Sequence, residues 1–230
     1  MRIIAWNCQM AFRHKFTVLA ALNPDILVIP ESESPAFLQA KKAVMPWPNH
    51  VWIGKNPAKG LGIFARDGIR LKLKRNHDPA HRFIAPVNVT SADDAFDLLA
   101  FWTQAEKRQS DSYVAHSLRA LDHYAKPLKR STLLLGDFNS SPVFKQNGKH
   151  HVELVRRLAR RGFSSLYHRL NDHEHGSEPD ATFWLHRNQA KPYHLDYIFA
   201  HTTRTPKSFA LGDPDDWLHL SDHAPLILDL

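Results

Sequence analysis

Residues 132–142 read TLLLGDFNSSP, and the way this run ends decides the fold. Leu133, Leu134 and Leu135 form an uninterrupted apolar run, which implies a strand buried on both faces. Side chains alternate along an extended chain, so Asp137 and Asn139 project to the same side where that strand stops. Gly136 permits close approach of another backbone, and Pro142 blocks continuation. In layered α/β proteins, ligands gather beyond the carboxyl ends of strands. A carboxylate there accepts a proton from water or holds a cation. An amide hydrogen-bonds a phosphate oxygen without adding negative charge beside it. The pair suits attack of water on a phosphodiester, although taken alone it reads equally well as a turn.

Similar apolar runs recur from end to end: RIIAW (2–6), DILVIP (25–30), HVWIG (50–54), LGIFA (61–65), RFIAPVNV (82–89), FDLLAFW (96–102), LDYIFA (195–200) and APLILDL (224–230). Helical spacing lies between some of them. Val18, Leu19 and Leu22 precede the breaker Asn23-Pro24. Val114, Leu118, Leu121 and Ala125 share one face, as do Val152, Val155, Leu158 and Ala159, with Arg156, Arg157, Arg160 and Arg161 on a solvated side. Strands with interspersed helices predict a layered α/β protein, and no repeat or linker divides residues 1–230 into more than one domain. NDHEHGSEPD (171–180) reads as an exposed loop with solvated histidines. GIRLKLKR (68–75) reads as an edge strand protected by Lys72 and Lys74, or as a phosphate path.

The chain has 230 residues, 43% of them hydrophobic, enough for one sizeable core. Thirty Lys and Arg against 23 Asp and Glu leave a net charge of +7, which suits a polyanionic partner such as nucleic acid or an anionic lipid surface. One cysteine, Cys8, excludes an internal disulfide and fits a reducing compartment. No run reaches the roughly 18 apolar residues of a membrane span, and the N-terminus lacks a secretory signal pattern. The expected location is the cytoplasm, with no membrane association.

Four more strand ends carry polar groups. Asn7 follows the first run, Glu31 the second, Asp196 opens LDYIFA, and Asp222-His223 precedes the last. Each has an ordinary explanation: a turn for Asn7, a helix N-terminal charge for Glu31, a cation partner for Asp196, a hydrogen-bonded core imidazole for His223. Five such coincidences are far less expected than one site.

Asn7, Glu31, GDFNSSP, HLDYIF and SDHAPL, in this order, resemble the endonuclease/exonuclease/phosphatase superfamily, which includes DNase I-like and exonuclease III-like nucleases. The resemblance spans residues 3 to 228 and rests chiefly on GDFN and the closing SDH. It implies a four-layered α/β sandwich, two mixed β-sheets packed face to face with flanking helices, and hydrolysis of phosphoester bonds with Mg²⁺, or Mn²⁺ as a substitute. It assigns Glu31, Asn7 and Asp222 to the metal site, Asp137 to the attacking water, and Asn139 and Asn7 to the phosphate. Asp196 pairs with His223. Magnesium prefers oxygen ligands, so one or two carboxylates suffice.

Where many of these nucleases place a tyrosine or histidine, this chain has Trp102, either a substrate-binding base platform or a packing residue. The second run ends IPE, where a glutamine before the glutamate is common. His194 shares a strand face with Asp196 and reads as an ordinary strand histidine. The expected function is a metal-dependent phosphodiesterase acting on nucleic acid. Its alternatives are a phosphatase for a small phosphorylated metabolite or inositol lipid, and a non-catalytic nucleic-acid-binding protein on the same fold.

Overall fold

The computed structural model describes residues 1–104, 113–126, 128–145 and 148–230, with backbone alone for Tyr113 and Val114. In chain order the strands are β1 (Arg2–Ala5), β2 (Ile26–Ser32), β3 (Asn49–Asn56), β4 (Lys59–Ala65), β5 (Arg70–Leu73), β6 (Ile84–Thr90) and β7 (Ala95–Trp102). There follow β8 (Leu133–Asp137), β9 (Phe163–Ser165), β10 (Phe183–Trp184), β11 (Pro192–Tyr193), β12 (Asp196–His201), β13 (Ser208–Leu211) and β14 (Leu226–Asp229). The helices are α1 (Phe16–Ala21), α2 (Pro35–Ala40), α3 (Tyr113–Tyr124), α4 (Gly148–Ala159), α5 (Leu166–Asn171) and α6 (Pro214–Trp217).

One sheet has the order β13-β14-β1-β2-β4-β3 and the other β5-β6-β7-β8-β12-β9, with β10 and β11 forming a small ribbon. Alternation along the strands explains the layering. Ile3, Ala5, Ile26 and Val28 share one core with Val87, Leu98, Ala100, Leu133 and Leu135 of the other sheet. Their neighbours point outward: Ile4, Leu27 and Ile29 pack with Leu19 and Leu38, while Leu99, Phe101 and Leu134 pack with Leu121, Leu154 and Leu158. Strands covered on both faces must be apolar at every position, hence the continuous runs. The expected four-layered sandwich is the fold observed.

The topology also gathers strand ends. β1 and β2 are parallel, as are β7 and β8. β14 runs antiparallel to β1, and β12 to β8. The antiparallel strands therefore begin at the rim where the parallel ones finish. Gly136, next to that rim, has φ 127°, and a Cβ there would lie 2.2 Å from the Phe101 carbonyl oxygen, so only glycine allows β7 and β8 to meet.

Some expectations need correction. Val152 and Ala159 do not face the core: Val152 is exposed, and the buried stripe of α4 is His151, Leu154 and Leu158. His151 takes the inward place because its ring is hydrogen-bonded to Ser140 Oγ (2.9 Å) and to His175 Nδ1 (3.0 Å). Segment 171–180 is likewise not merely solvated. Glu178 is bonded to His168 Nε2 at 2.9 Å, and the His168 and His175 rings stack in parallel at 3.5 Å. Parallel rings direct their lone pairs in separate planes, so the close His168–His175–Glu178 group is packing rather than a formed metal site. β5 does lie at a sheet edge. The side chain of Val114 is outside the described residues.

Buried imidazoles make the fold acid-sensitive. Burial lowers His116 and His151 to about 4, with both rings nearly inaccessible. Because their folded values are depressed, stability is intact above the unfolded value near 6.5 and declines as pH falls toward 4. Asp137, raised to about 7, works in the opposite sense by one proton. His175 and His194, also lowered by burial, add to the histidine side. The rings outweigh the single Asp137 proton at about 1.4 kcal/mol per net proton and pH unit, and the melting temperature should fall by about 5 °C or more between pH 7 and pH 5. A flat melting profile over that range would show that these rings are already protonated in the native state.

Candidate active site

At the shared rim lies a cleft of ≈ 330 Å³ lined by Asn7, Glu31, Trp102, Asp137, Asn139, Asp222 and His223, together with Lys59, Thr103 and Phe183. Asp196, the remaining candidate, sits behind His223. The candidates read from the sequence, scattered from 7 to 223, are thus brought together at the ends of β1, β2, β7, β8, β12 and β14.

Asp137 ends β8 directly opposite Asp196 of β12. It is 1% exposed, and its carboxylate accepts three hydrogen bonds. Asn139 backbone N–H donates to Oδ1 (2.8 Å), while Asn7 Nδ2 (2.9 Å) and Asn139 Nδ2 (2.8 Å) donate to Oδ2. Burial and then the neighbouring Asp196 raise its pKa to about 7, against the opposing pull of His223 and the amides. Asn139 adopts φ 46°, a conformation asparagine tolerates, and its Nδ2 also donates to Thr103 O (3.1 Å). Both amide hydrogens are committed, so Asn139 first of all positions Asp137. Reaching a phosphate requires release of the Thr103 contact.

Glu31 stands at a break in the β2–β4 register between Pro30 and Ser32, with φ 64°. A glutamate held there costs on the order of 1 kcal/mol, and the kink turns its side chain into the cleft rather than into the sheet. Its carboxylate meets Lys59 Nζ at 3.0 Å. Glu33, two residues on, is fully buried and spent on Arg13. Position within IPESE (29–33), not residue type, separates the two acids.

His223 Nδ1 donates to Asp196 Oδ2 at 2.8 Å, and Nε2 lies 3.9 Å from Asp222 Oδ1. The Phe183 ring covers it at 4.8 Å. Burial lowers its pKa, but Asp196, then Asp137 and Asp222, overcome this and raise it to about 10. The ring is therefore an imidazolium at neutral pH. Asp222 is held by Gln9 Nε2 (2.9 Å), from a turn in which Gln9, Met10 and Ala11 all have left-handed φ of 50°, 65° and 52°. Lys15 Nζ anchors that turn on Cys8 O (2.6 Å).

Trp102 forms part of the cleft wall. It is 2% exposed, with the Phe83 ring at 4.4 Å and Lys59 Nζ 5.4 Å above it, so it has no free face for a base. His194 lies outside the cleft and hydrogen-bonds Asp180 O through Nδ1 (2.9 Å). The sequence reading missed Lys59, Thr103, Gln9 and Phe183. Only the glycine-flanked hairpin AKGLG carries any signal, and that is for Lys59.

Two donor sets could hold a cation. Asp137, Asp196 and His223 offer atoms within 4.8 Å of one another, but a protonated imidazole bonded to Asp196 has no lone pair to give. Glu31, Asn7 and Asp222 line the same cleft with oxygen donors, Asn7 Oδ1 accepting from Gln9 N–H (3.0 Å), and Glu31 carries an ammonium that a metal ion could replace. That set fits a hard divalent ion such as Mg²⁺.

The sequence profile of the Endonuclease/Exonuclease/phosphatase family matches residues 4–223. No curated protein matches the chain. Among solved structures, an AP endonuclease from Archaeoglobus fulgidus is similar with a TM-score of 0.74 at 17% identity, over 99% of this chain and 98% of that one. A 3'-5' exonuclease from Neisseria meningitidis aligns at 0.67 and 20% identity, covering 100% and 99%. D. rerio TDP2 complexed with single strand DNA product aligns at 0.66 and 19%, covering 99% and 97%. At these identities the structures establish the shared fold.

Proposed function

The chain belongs to the Endonuclease/Exonuclease/phosphatase family, and on that basis we propose that it is a divalent-cation-dependent phosphodiesterase acting on nucleic acid. The observation that carries the reading is one cleft holding a buried carboxylate of raised pKa beside an imidazolium–carboxylate pair. A pure binder gains nothing from buried acids facing a polyanion. The three solved neighbours are an AP endonuclease, an exonuclease and a protein holding single-stranded DNA. With the net charge of +7, they favour nucleic acid over a metabolite or lipid.

Asp137, near 7, accepts the proton of the attacking water, with Asn7 and Asn139 holding its lone pairs in place. His223 presents a fixed positive charge to the phosphate and stabilises the oxygens on which charge develops. Asp196 keeps that ring protonated and in one orientation. Glu31, Asn7 and Asp222 would hold the metal ion, which supplies further neutralisation of the phosphoryl oxygens. Residues 1–230 act as one catalytic unit. Among the described residues no helix is long and apolar enough to cross a membrane. A cytoplasmic setting is supported by Cys8, a buried free thiol whose pKa burial pushes to about 12.

The test is hydrolysis of plasmid, single-stranded DNA, RNA and p-nitrophenyl phosphate mono- and diesters with Mg²⁺ or Mn²⁺. Turnover of monoesters alone would exclude a nuclease. Glu31→Gln should raise the metal concentration for half-maximal rate by about tenfold or more, a loss of about 1.4 kcal/mol in metal affinity. Isothermal titration with Mn²⁺ measures it directly, and an unchanged binding isotherm would move the metal site away from Glu31.

A further inference from the structure

Behind Trp102, across its contact with Phe83, lies a second trough of ≈ 360 Å³. One wall is β3. Its Ile53 packs against the inter-sheet core, and Lys55 lines the trough beyond it. The indole of Trp52 turns to the other face of the β3–β4 hairpin, where a Cβ on Gly54 or Gly60 would fall 2.3 or 2.2 Å from the ring. The facing wall is the segment joining β5 to β6, with His77, Pro79, Arg82 and Phe83. The two hollows share a wall. Phe83 touches Trp102 at 4.4 Å, Arg82 lies 5.3 Å over the Phe83 ring, and Lys59 spans Trp102 and Glu31.

Its chemistry differs from that of the cleft. The floor of Ile53, Pro79 and Phe83 is apolar, the exposed Lys55 and Arg82 stand at the rim, and among the described residues no acid lines it. An apolar floor with cationic edges suits a flat ring carrying a phosphate. Paired bases keep their faces covered in the stack, so a duplex uses such a floor only by unpairing a nucleotide, at a cost a single strand does not bear. The volume falls at the lower end for a small-molecule site. We infer that the trough holds one unpaired nucleotide of the substrate strand adjacent to the scissile phosphate, its base against Pro79 and Ile53 and its phosphate between Lys55 and Arg82. This rests on the nucleic-acid reading of the cleft and specifies it: the preferred substrate is single-stranded next to the cut.

The experiment compares wild type with Lys55→Ala/Arg82→Ala, two exposed positions outside the catalytic cleft, by steady-state kinetics with Mn²⁺. The probes are a single-stranded oligonucleotide, its duplex, the same strand lacking the base beside the cleavage point, and bis-p-nitrophenyl phosphate. For the variant, KM on the single strand should rise about tenfold with kcat within about twofold. The slope of log(kcat/KM) against log salt should shrink by about 0.7, as for one lost single-strand phosphate contact. Bis-p-nitrophenyl phosphate turnover should be unaltered. For wild type, removing the flanking base should raise KM by about tenfold. Unchanged KM and salt slope, or equal efficiency on duplex and single strand, would overturn the trough assignment while leaving the nuclease reading standing. Wild-type hydrolysis of the small ester with no cleavage of any oligonucleotide would remove the nucleic-acid reading and the trough with it.

Discussion

Asp137→Asn and His223→Asn, made separately, should each lower kcat by about 10³-fold or more while leaving the circular dichroism spectrum in place. Both replacements are nearly isosteric. The asparagine at 137 keeps an oxygen toward Asn7 and Asn139 but has no basicity to take a proton from water. The asparagine at 223 keeps an N–H for Asp196 but removes both the positive charge and Nε2. On the proposed mechanism single losses of this size are expected because the two groups line the same cleft, each 4% exposed or less. The double variant should be hardly worse than either single one, as for groups that act as a unit. Less than tenfold loss in both single variants would place the reaction elsewhere.

Asp196→Asn should leave activity measurable in acid and extinguish it in alkali. In wild type, burial lowers His223, yet Asp196 and its acidic neighbours hold it near 10. The raised value means that the imidazolium persists through neutrality and is lost only as pH rises toward 10. Without the Asp196 carboxylate the largest raising cause is gone, and burial draws the pKa down from about 10 against Asp137 and Asp222 alone. The variant-to-wild-type ratio of kcat/KM should therefore fall by about tenfold or more from pH 5.5 to pH 8.5. The same pair contributes stability that is full below pH 6.5 and fades toward pH 10. Rate profiles and His223 titration by NMR read the two effects separately. Parallel pH profiles for the two proteins would show that His223 does not act as a cation.

The strands and most of the site are legible in the sequence because one cause produces both signals. A strand buried on two faces has no polar residue until it leaves the core, so the first acid or amide marks the rim. TLLLGD and IIAWN display this directly. α4 misleads for the converse reason: His151 is polar yet faces inward, because Ser140 and His175 satisfy its ring, and no spacing rule reveals partners more than ten residues away. Lys59 was invisible because a hairpin lysine is ordinarily solvated. Only the kink at Glu31 and the closeness of Trp102 give it a role. The sequence points to Asn139 as a phosphate ligand; its immediate partners in the structure, Asp137 and Thr103, depend on a backbone φ of 46° that residue identity permits but does not dictate.

β1 lies between β14 and β2, with Arg2 paired to Asp229 through two guanidinium hydrogen bonds. During synthesis, the ribosome releases Asn7 long before His223 and the strand that follows it. Until β14 arrives, β1 has a bare edge and the rim has no imidazolium. A cleft assembled this way is complete only once the last strand has paired with the first, so the two ends of the chain close the candidate site together.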